Sequence, residues 1–113
     1  MAEPQDVRTM FERLMTLNRE AFEVGHYSTA YHALTAALHE VQEQQAAQNL
    51  CRVQQVAEEQ LAGIDRAAPT YEHSTRSAAS RRHTSIFAML ARQAHARFLM
   101  LQEENRRKGG LPS

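Results

Sequence analysis

Two histidines and a glutamate have residue types and a spacing that resemble a metal site more than any others in this sequence. His32, His39 and Glu43 fall on one face of a predicted helix, opposite its apolar residues. His32 and His39 are two turns apart, about 10 Å along a helix axis, which is too far for two ligands of one ion. His39 and Glu43 have a suitable spacing but supply only two ligands. We therefore interpret this face as a solvated polar surface, and we predict no metal and no other cofactor.

Cys51 and His95 are two further residues whose types suit catalysis or metal ligation. A catalytic thiol needs a histidine base and an orienting group, and the sequence around Cys51 suggests neither. We predict that Cys51 is a small buried or boundary residue and that His95 lies at the edge of an apolar stripe. The chain also lacks a glycine-rich phosphate loop, a paired-carboxylate site and a serine nucleophile motif. The sequence therefore predicts a protein that is not an enzyme.

A basic segment, 75–85, carries side chains that suit the binding of a phosphate or an acidic partner. These side chains are Arg76, Arg81, Arg82 and His83. The order Arg-Arg-x-Thr also resembles the recognition pattern of basophilic kinases, with Thr84 or Ser85 as the acceptor. A phosphate there would lie at the start of the next predicted helix, where the dipole and the free amides favour an anion.

The composition predicts an all-α fold. The 113 residues suit a single domain, which we place at 1–108. Alanine, glutamine, glutamate, arginine and leucine dominate, and all of them favour helices. Residues with β-branched or aromatic side chains are sparse. One cysteine excludes an internal disulfide, and no window approaches the ~18 apolar residues of a membrane span. We expect a cytoplasmic protein without a membrane partner.

Charge is divided unevenly although the formal net charge is zero. Residues 1–65 carry ten acidic and four basic side chains, whereas 66–113 carry three acidic and nine basic ones. Such asymmetry is typical of a chain whose basic part binds a polyanion. It is also typical of two halves that attract each other within one bundle or between subunits. We favour the second interpretation because it needs no additional partner.

Apolar periodicity predicts a bundle of three to four helices. The expected helices are 5–24, 28–47, 49–65 and 84–107. The polar stretch 42–49 either extends the second helix or breaks it before a third, with Asn49 as the cap. Residues 66–83 have weak periodicity and predict a loop or a loose helical approach. Residues 109–113 are expected to form a disordered tail.

The first two helices contain small and large residues at a characteristic spacing. The residues concerned are Leu14, Leu17, Gly25, Tyr27, Ala30, Leu34, Ala37 and Leu38. This pattern resembles one tetratricopeptide repeat over 11–44. The resemblance implies an antiparallel helical hairpin and a protein-binding role. The sequence departs from the repeat at Asn18, Ala21 and Gln42, and no second copy follows in 45–78. We therefore expect a single hairpin inside a small bundle rather than a solenoid.

The helix predicted at 84–107 carries two apolar stripes. The first consists of Phe87, Leu90, Ala91, Ala94, Phe98 and Leu101, and the second of Ile86, Met89, Ala96 and Met100. An apolar arc this wide implies burial on more than one side. The helix therefore lies between neighbours in a core, or its second stripe meets a partner chain. We identify a candidate contact surface whose members are Met89, Ala96, Phe98, Leu99 and Met100.

These observations favour a small interaction or scaffold module that binds a protein partner or a second copy of itself as a homodimer. One alternative is a nucleic-acid-associated or regulatory protein that uses the basic half, 66–108. A second alternative is a helical bundle that binds a small ligand between its helices.

Overall fold

A computed structural model describes residues 9–44 and 46–110 of the chain. It contains five helices, α1 (Met10–Glu23), α2 (Tyr27–Gln44), α3 (Ala47–Ala67), α4 (Thr75–Ser80) and α5 (Ile86–Gly110). Helices account for 83 % of the described residues, and none of these residues lies in a strand. The all-α bundle predicted from composition is therefore confirmed. Within the same residues, no helix combines the length and apolar character needed to cross a bilayer.

A side-chain cap fixes the start of α1. Thr9 has extended backbone angles, and its hydroxyl oxygen accepts a hydrogen bond from the N–H of Glu12 at 3.1 Å. A threonine followed three residues later by glutamate is a capping-box sequence, which satisfies a backbone donor at the helix terminus. The helix was expected to begin at residue 5; it begins at Met10, and 5–8 lie outside the described residues.

The turn between α1 and α2 spans only residues 24–26, so the two helices form an antiparallel hairpin. Gly25 adopts a φ of +81°, the left-handed conformation that glycine takes without a Cβ penalty. The N–H of His26 then donates to the carbonyl of Ala21, which closes the end of α1. The likeness of this hairpin to a tetratricopeptide repeat stays a prediction.

The buried face of α1 is shifted away from Leu17, which we predicted to pack within the hairpin. Its buried residues are Phe11, Met15, Asn18 and Ala21. Leu17 is 47 % exposed, and Leu14 is only half-buried. The helix is rotated because Phe11 and Met15 are four residues apart and together present more apolar surface to the bundle than Leu17 does.

The core is centred on α2. Four of the predicted packing residues, Ala30, Leu34, Ala37 and Leu38, are fully buried on α2. α1 packs along α2, α3 packs along α5, and α2 also contacts both members of the second pair. Val53 and Ala57 of α3 lie in the same apolar cluster as Leu34 and Leu38.

A break separates α2 from α3. Of the two predictions for the polar stretch 42–49, a break before a third helix is therefore correct, and an extension of the second helix is wrong. α2 ends at Gln44, and α3 follows Ala46, which has extended backbone angles and no side-chain cap bond. The prediction of Asn49 as the cap is wrong, because Asn49 lies inside the first turn of α3.

Polar contacts hold the short helix α4 in the region predicted as a loop or loose helix. The fully buried Ser74 caps α4 by accepting from the N–H of Ser77 at 3.1 Å, and its hydroxyl donates to the Pro69 carbonyl at 2.6 Å. The Asp65 carboxylate at the end of α3 accepts from the N–H and the hydroxyl of Thr75 at 2.8 and 2.7 Å. These bonds replace the apolar stripe that α4 lacks.

α5 is the longest helix and extends beyond the rest of the bundle. It continues to Gly110, so the prediction of a disordered tail is wrong for residues 109 and 110, and 111–113 lie outside the described residues. Leu101 is its last buried residue, and those from Gln102 to Gly109 are exposed apart from the half-buried Glu103. The array is flattened, with principal dimensions of 56 × 50 × 16 Å. A flat array leaves a large share of each helix face uncovered.

Candidate interaction surface

The first apolar stripe of α5 forms part of the core. Phe87 and Ala94 are fully buried, and Leu90, Ala91 and Leu101 are nearly so. The Phe87 ring meets the Tyr31 ring of α2 edge-on, with centroids 5.7 Å apart. This face therefore anchors α5 against α2 and α3 and fixes which residues point away from the bundle.

The second apolar stripe of α5 points outward except at its first residue, Ile86, which is half-buried. Met89 is 56 % exposed, Leu99 50 % and Met100 65 %, and Ala96 is exposed between them. Phe98, which we had grouped with this surface, is half-buried and packs against the core. Of the two interpretations of the wide apolar arc, burial between neighbouring helices is therefore wrong for this stripe within the described residues. We call Met89, Ala96, Leu99 and Met100 the outer face of α5.

Charged side chains lie along the outer face beyond Met100. Arg106 Nη2 donates to Glu103 Oε1 at 2.6 Å, and Arg107 Nε donates to the same oxygen at 3.3 Å. The hydrogen bond from Arg106 is the main cause that lowers the pKa of Glu103, with Arg107 adding to it. Lys108 lies 3.9 Å from Glu104 one residue further round the helix. Ion pairs within α5 therefore stabilise the part of this helix that projects beyond the bundle.

A cavity of about 380 Å³ lies beside this face, between α3 and α5. Its floor is apolar, with Leu61 and Ala91 among the lining residues, and its rim carries Arg92 and His95. His95 is exposed, and its Nδ1 lies 3.2 Å from Gln54 Oε1 of α3. The volume of the cavity falls within the range of small-molecule sites. Of the two rim residues, only His95 has a hydrogen-bond partner across the cavity within the described part of the chain.

Comparison with protein-family models, with curated proteins and with solved structures found no match to this chain.

The predicted basic segment does not form one cluster of free cations. Arg81 donates to the carbonyl oxygens of Glu72 and Ser77 and lies 3.9 Å from the Glu72 carboxylate. Arg76, Arg82 and His83 are exposed. Arg82 has a φ of +58°, in the left-handed region, which turns the chain sharply between α4 and α5.

Ser85, which we predicted as one of two candidate phosphorylation sites, is buried and hydrogen-bonded. It is 4 % exposed, its hydroxyl donates to the His73 carbonyl at 2.5 Å, and it accepts from the N–H of Phe87 at 3.2 Å. A kinase cannot reach a hydroxyl held in this way. Thr84 is exposed, and its modification stays a prediction.

The residues considered for metal binding and catalysis are dispersed. His32 and His39 lie exposed on α2, and the described residues include no group of three side chains that could hold a metal ion. Cys51 is exposed rather than buried or at a boundary, because it lies on the side of α3 away from Leu50 and Val53.

A buried amide pair that the sequence analysis did not identify joins α1 to α3. Asn18 Nδ2 donates to Gln60 Oε1 at 3.0 Å and to the Ala30 carbonyl at 2.7 Å, and Gln60 Nε2 donates to Asn18 Oδ1 at 2.6 Å. Both side chains are less than 10 % exposed. The departure of Asn18 from the tetratricopeptide pattern was the only sequence signal for this pair.

α1 also carries exposed apolar residues, and it provides the comparison surface for α5. Met10, Leu17 and Val24 are exposed at intervals of seven residues. Consecutive members are therefore about 10 Å apart along the helix. On α5, by contrast, Ala96, Leu99 and Met100 fall within little more than one turn and form a continuous patch.

Proposed function

We propose that this protein is a small, non-catalytic interaction module that binds another protein chain through the outer face of α5. The observation that carries the proposal is the uncovered patch formed by Ala96, Leu99 and Met100 on a helix whose opposite side is anchored in the core. Contiguous exposed apolar residues with a polar rim are typical of protein contact sites. A cytoplasmic location remains part of this proposal.

The chemistry of the patch suits a helix or another flat protein surface. Met89 and Met100 of the outer face have flexible, polarizable side chains that adapt to an irregular partner. Ala96 between them allows a partner backbone to approach closely. Arg92, Glu103 and Arg106 border the patch and supply the charged rim that sets orientation.

The distribution of cations favours a protein partner over a nucleic acid. Arg106, Arg107 and Lys108 pair with glutamates on their own helix, and Arg81 pairs with Glu72. A phosphate backbone is bound by cations that are available to displace its counterions. The exposed cations of 66–108 that form no ion pair with the described residues are spread over α3, α4, the turn after α4 and α5.

Photo-crosslinking tests the proposed surface. Benzoylphenylalanine placed at Met100 in the full chain, expressed in cells of the source organism, is expected to give a discrete crosslinked product. The matched control carries the same probe at Leu17, an exposed apolar position on α1. Ala96→Glu in the chain labelled at Met100 should reduce the product about tenfold or more, because it places an unpaired charge inside the contact.

Two results would contradict the proposal. One is equal product from Leu17 and Met100, which would indicate non-specific contact. The other is product from Met100 that is insensitive to Ala96→Glu, or no product from Met100 at all.

A further inference from the structure

Arg92 within the outer face of α5, and Glu103 and Arg106 beyond it, fall at the spacing of a coiled-coil seam. The seam consists of Met89, Arg92, Ala96, Leu99, Glu103 and Arg106, all exposed except the half-buried Glu103, and Met100 lies beside it. The seam residues alternate in steps of three and four residues, which keeps them on one side of a helix. The N-terminal half of the seam has Arg92, and the C-terminal half has Glu103 followed by Arg106.

We propose that two copies of this chain pair along this seam with their α5 helices antiparallel, related by a two-fold axis between residues 97 and 98. The pairing rests on the proposed function, because it names the occupant of the same outer face. A two-fold interface brings the same patch of both chains together, so each contact occurs twice. Ala96 then faces the partner's Leu99, and Arg92 faces the partner's Glu103.

The contacts in this register are complementary in size and in charge. The small Ala96 leaves room for the partner's Leu99 at the centre of the seam. Arg92 makes no ion pair with the described residues of its own chain, and in the dimer it meets the partner's Glu103. Met89 lies against the aliphatic stem of the partner's Arg106 at each end.

The charge layout also selects the direction of the pairing. In a parallel arrangement with equal residues opposed, Arg92 would face the partner's Arg92, and Glu103 would face the partner's Glu103. Like charges in direct opposition destabilise an interface, so the parallel arrangement is unfavourable. Glu103 is held in place by Arg106 on its own helix, whose Nη2 donates to Oε1 and whose Nε donates to Oε2. A carboxylate oxygen can accept two hydrogen bonds, so Oε2 keeps one acceptor site for the partner's Arg92.

The exposed apolar residues of α1 are less suited to this role. They are separated by two helical turns, and Glu12 and Arg13 beside them already interact within the chain. α1 therefore offers no continuous apolar centre comparable to Ala96 and Leu99.

Analytical ultracentrifugation of the full chain over a wide concentration series tests the pairing. The wild type is expected to show a reversible monomer–dimer equilibrium. Arg92→Glu and Glu103→Arg should each weaken dimerisation about tenfold, because two exposed ion pairs become two repulsions. The double variant should recover most of the affinity, since the pairs are restored with their signs exchanged. Circular dichroism and thermal unfolding establish that each variant is folded.

Glu104→Arg is the matched control, because it makes the same charge change one residue away and also removes an ion pair within α5. It should leave dimerisation close to that of the wild type. The pairing is overturned if the wild type stays monomeric, if the double variant is no better than the single ones, or if Glu104→Arg weakens dimerisation as much as Glu103→Arg. A monomeric wild type that still crosslinks through position 100 to a different protein would overturn the self-pairing alone. A monomer without crosslinked product would overturn the proposed function as well.

Discussion

Replacing Phe87 by alanine is expected to lower the free energy of unfolding by about 3–5 kcal/mol. Phe87 is fully buried at the start of α5, where its ring meets Tyr31 edge-on at 5.7 Å. Removing the ring leaves a cavity beneath the helix that presents the outer face, and the surrounding helices can close it only in part. Denaturation in urea, followed by circular dichroism, measures the loss.

Met89 provides the matched control for Phe87, because it lies two residues further along α5 and points outward. Met89→Ala should change the free energy of unfolding by less than about 0.5 kcal/mol in a dilute solution. Phe87→Leu, which keeps much of the apolar volume, covers the case in which Phe87→Ala does not fold, and it should cost less than the alanine variant. Equal losses at positions 87 and 89 would contradict the assignment of inner and outer faces.

Replacing Asn18 by leucine is expected to cost about 2–3 kcal/mol, because it leaves the buried amide of Gln60 without its partner. The leucine also removes the hydrogen bond to the Ala30 carbonyl on α2. The amide pair thus links α1, α2 and α3 at one point. Unfolding in urea measures the loss.

The double variant Asn18→Leu with Gln60→Met separates an unsatisfied polar group from a lost attraction. Removing both amides leaves no buried donor or acceptor unpaired, so the double variant should recover more than about 1 kcal/mol relative to Asn18→Leu. Asn105→Leu makes the same replacement at an exposed helical position and should have little effect. A double variant as unstable as the sum of its single variants would show that the two amides act independently.

Periodicity predicted both stripes of α5, but it could not assign them. Phe87 and Met89 belong to equally regular patterns in the sequence. The distinction between the core face and the outer face depends on where α2 and α3 lie, which is information that a single helix does not contain. Periodicity alone therefore leaves both outcomes open.

The register of α1 could not be predicted for a related reason. A scan for apolar residues selects Leu14 and Leu17 and passes over the polar Asn18, whereas the structure buries Asn18 and exposes Leu17. The burial of Asn18 is favourable only because Gln60, 42 residues away, supplies matching hydrogen bonds. The local pattern of apolar residues in α1 carries no information about a partner this far away in the sequence.

Local polar contacts account for the other differences in helix boundaries. Thr9 caps α1 within a Thr-x-x-Glu sequence that could have been recognised. α4 is held by hydrogen bonds, from Ser74 to the Pro69 carbonyl and from Thr75 to Asp65. Because these contacts are polar, the sequence of α4 has no apolar periodicity that would predict a helix. α3 starts without a side-chain cap, so no sequence signal marked Ala46.

Methionine oxidation by peroxide, compared between intact cells and the dilute purified chain, tests most directly whether the outer face of α5 is covered by another protein. In the purified chain Met10, Met89 and Met100 are exposed and should oxidise readily, whereas the buried Met15 should oxidise slowly. The proposed function predicts that in cells Met89 and Met100 become protected relative to Met10. The same oxidation ratios in cells and in the dilute chain would contradict it.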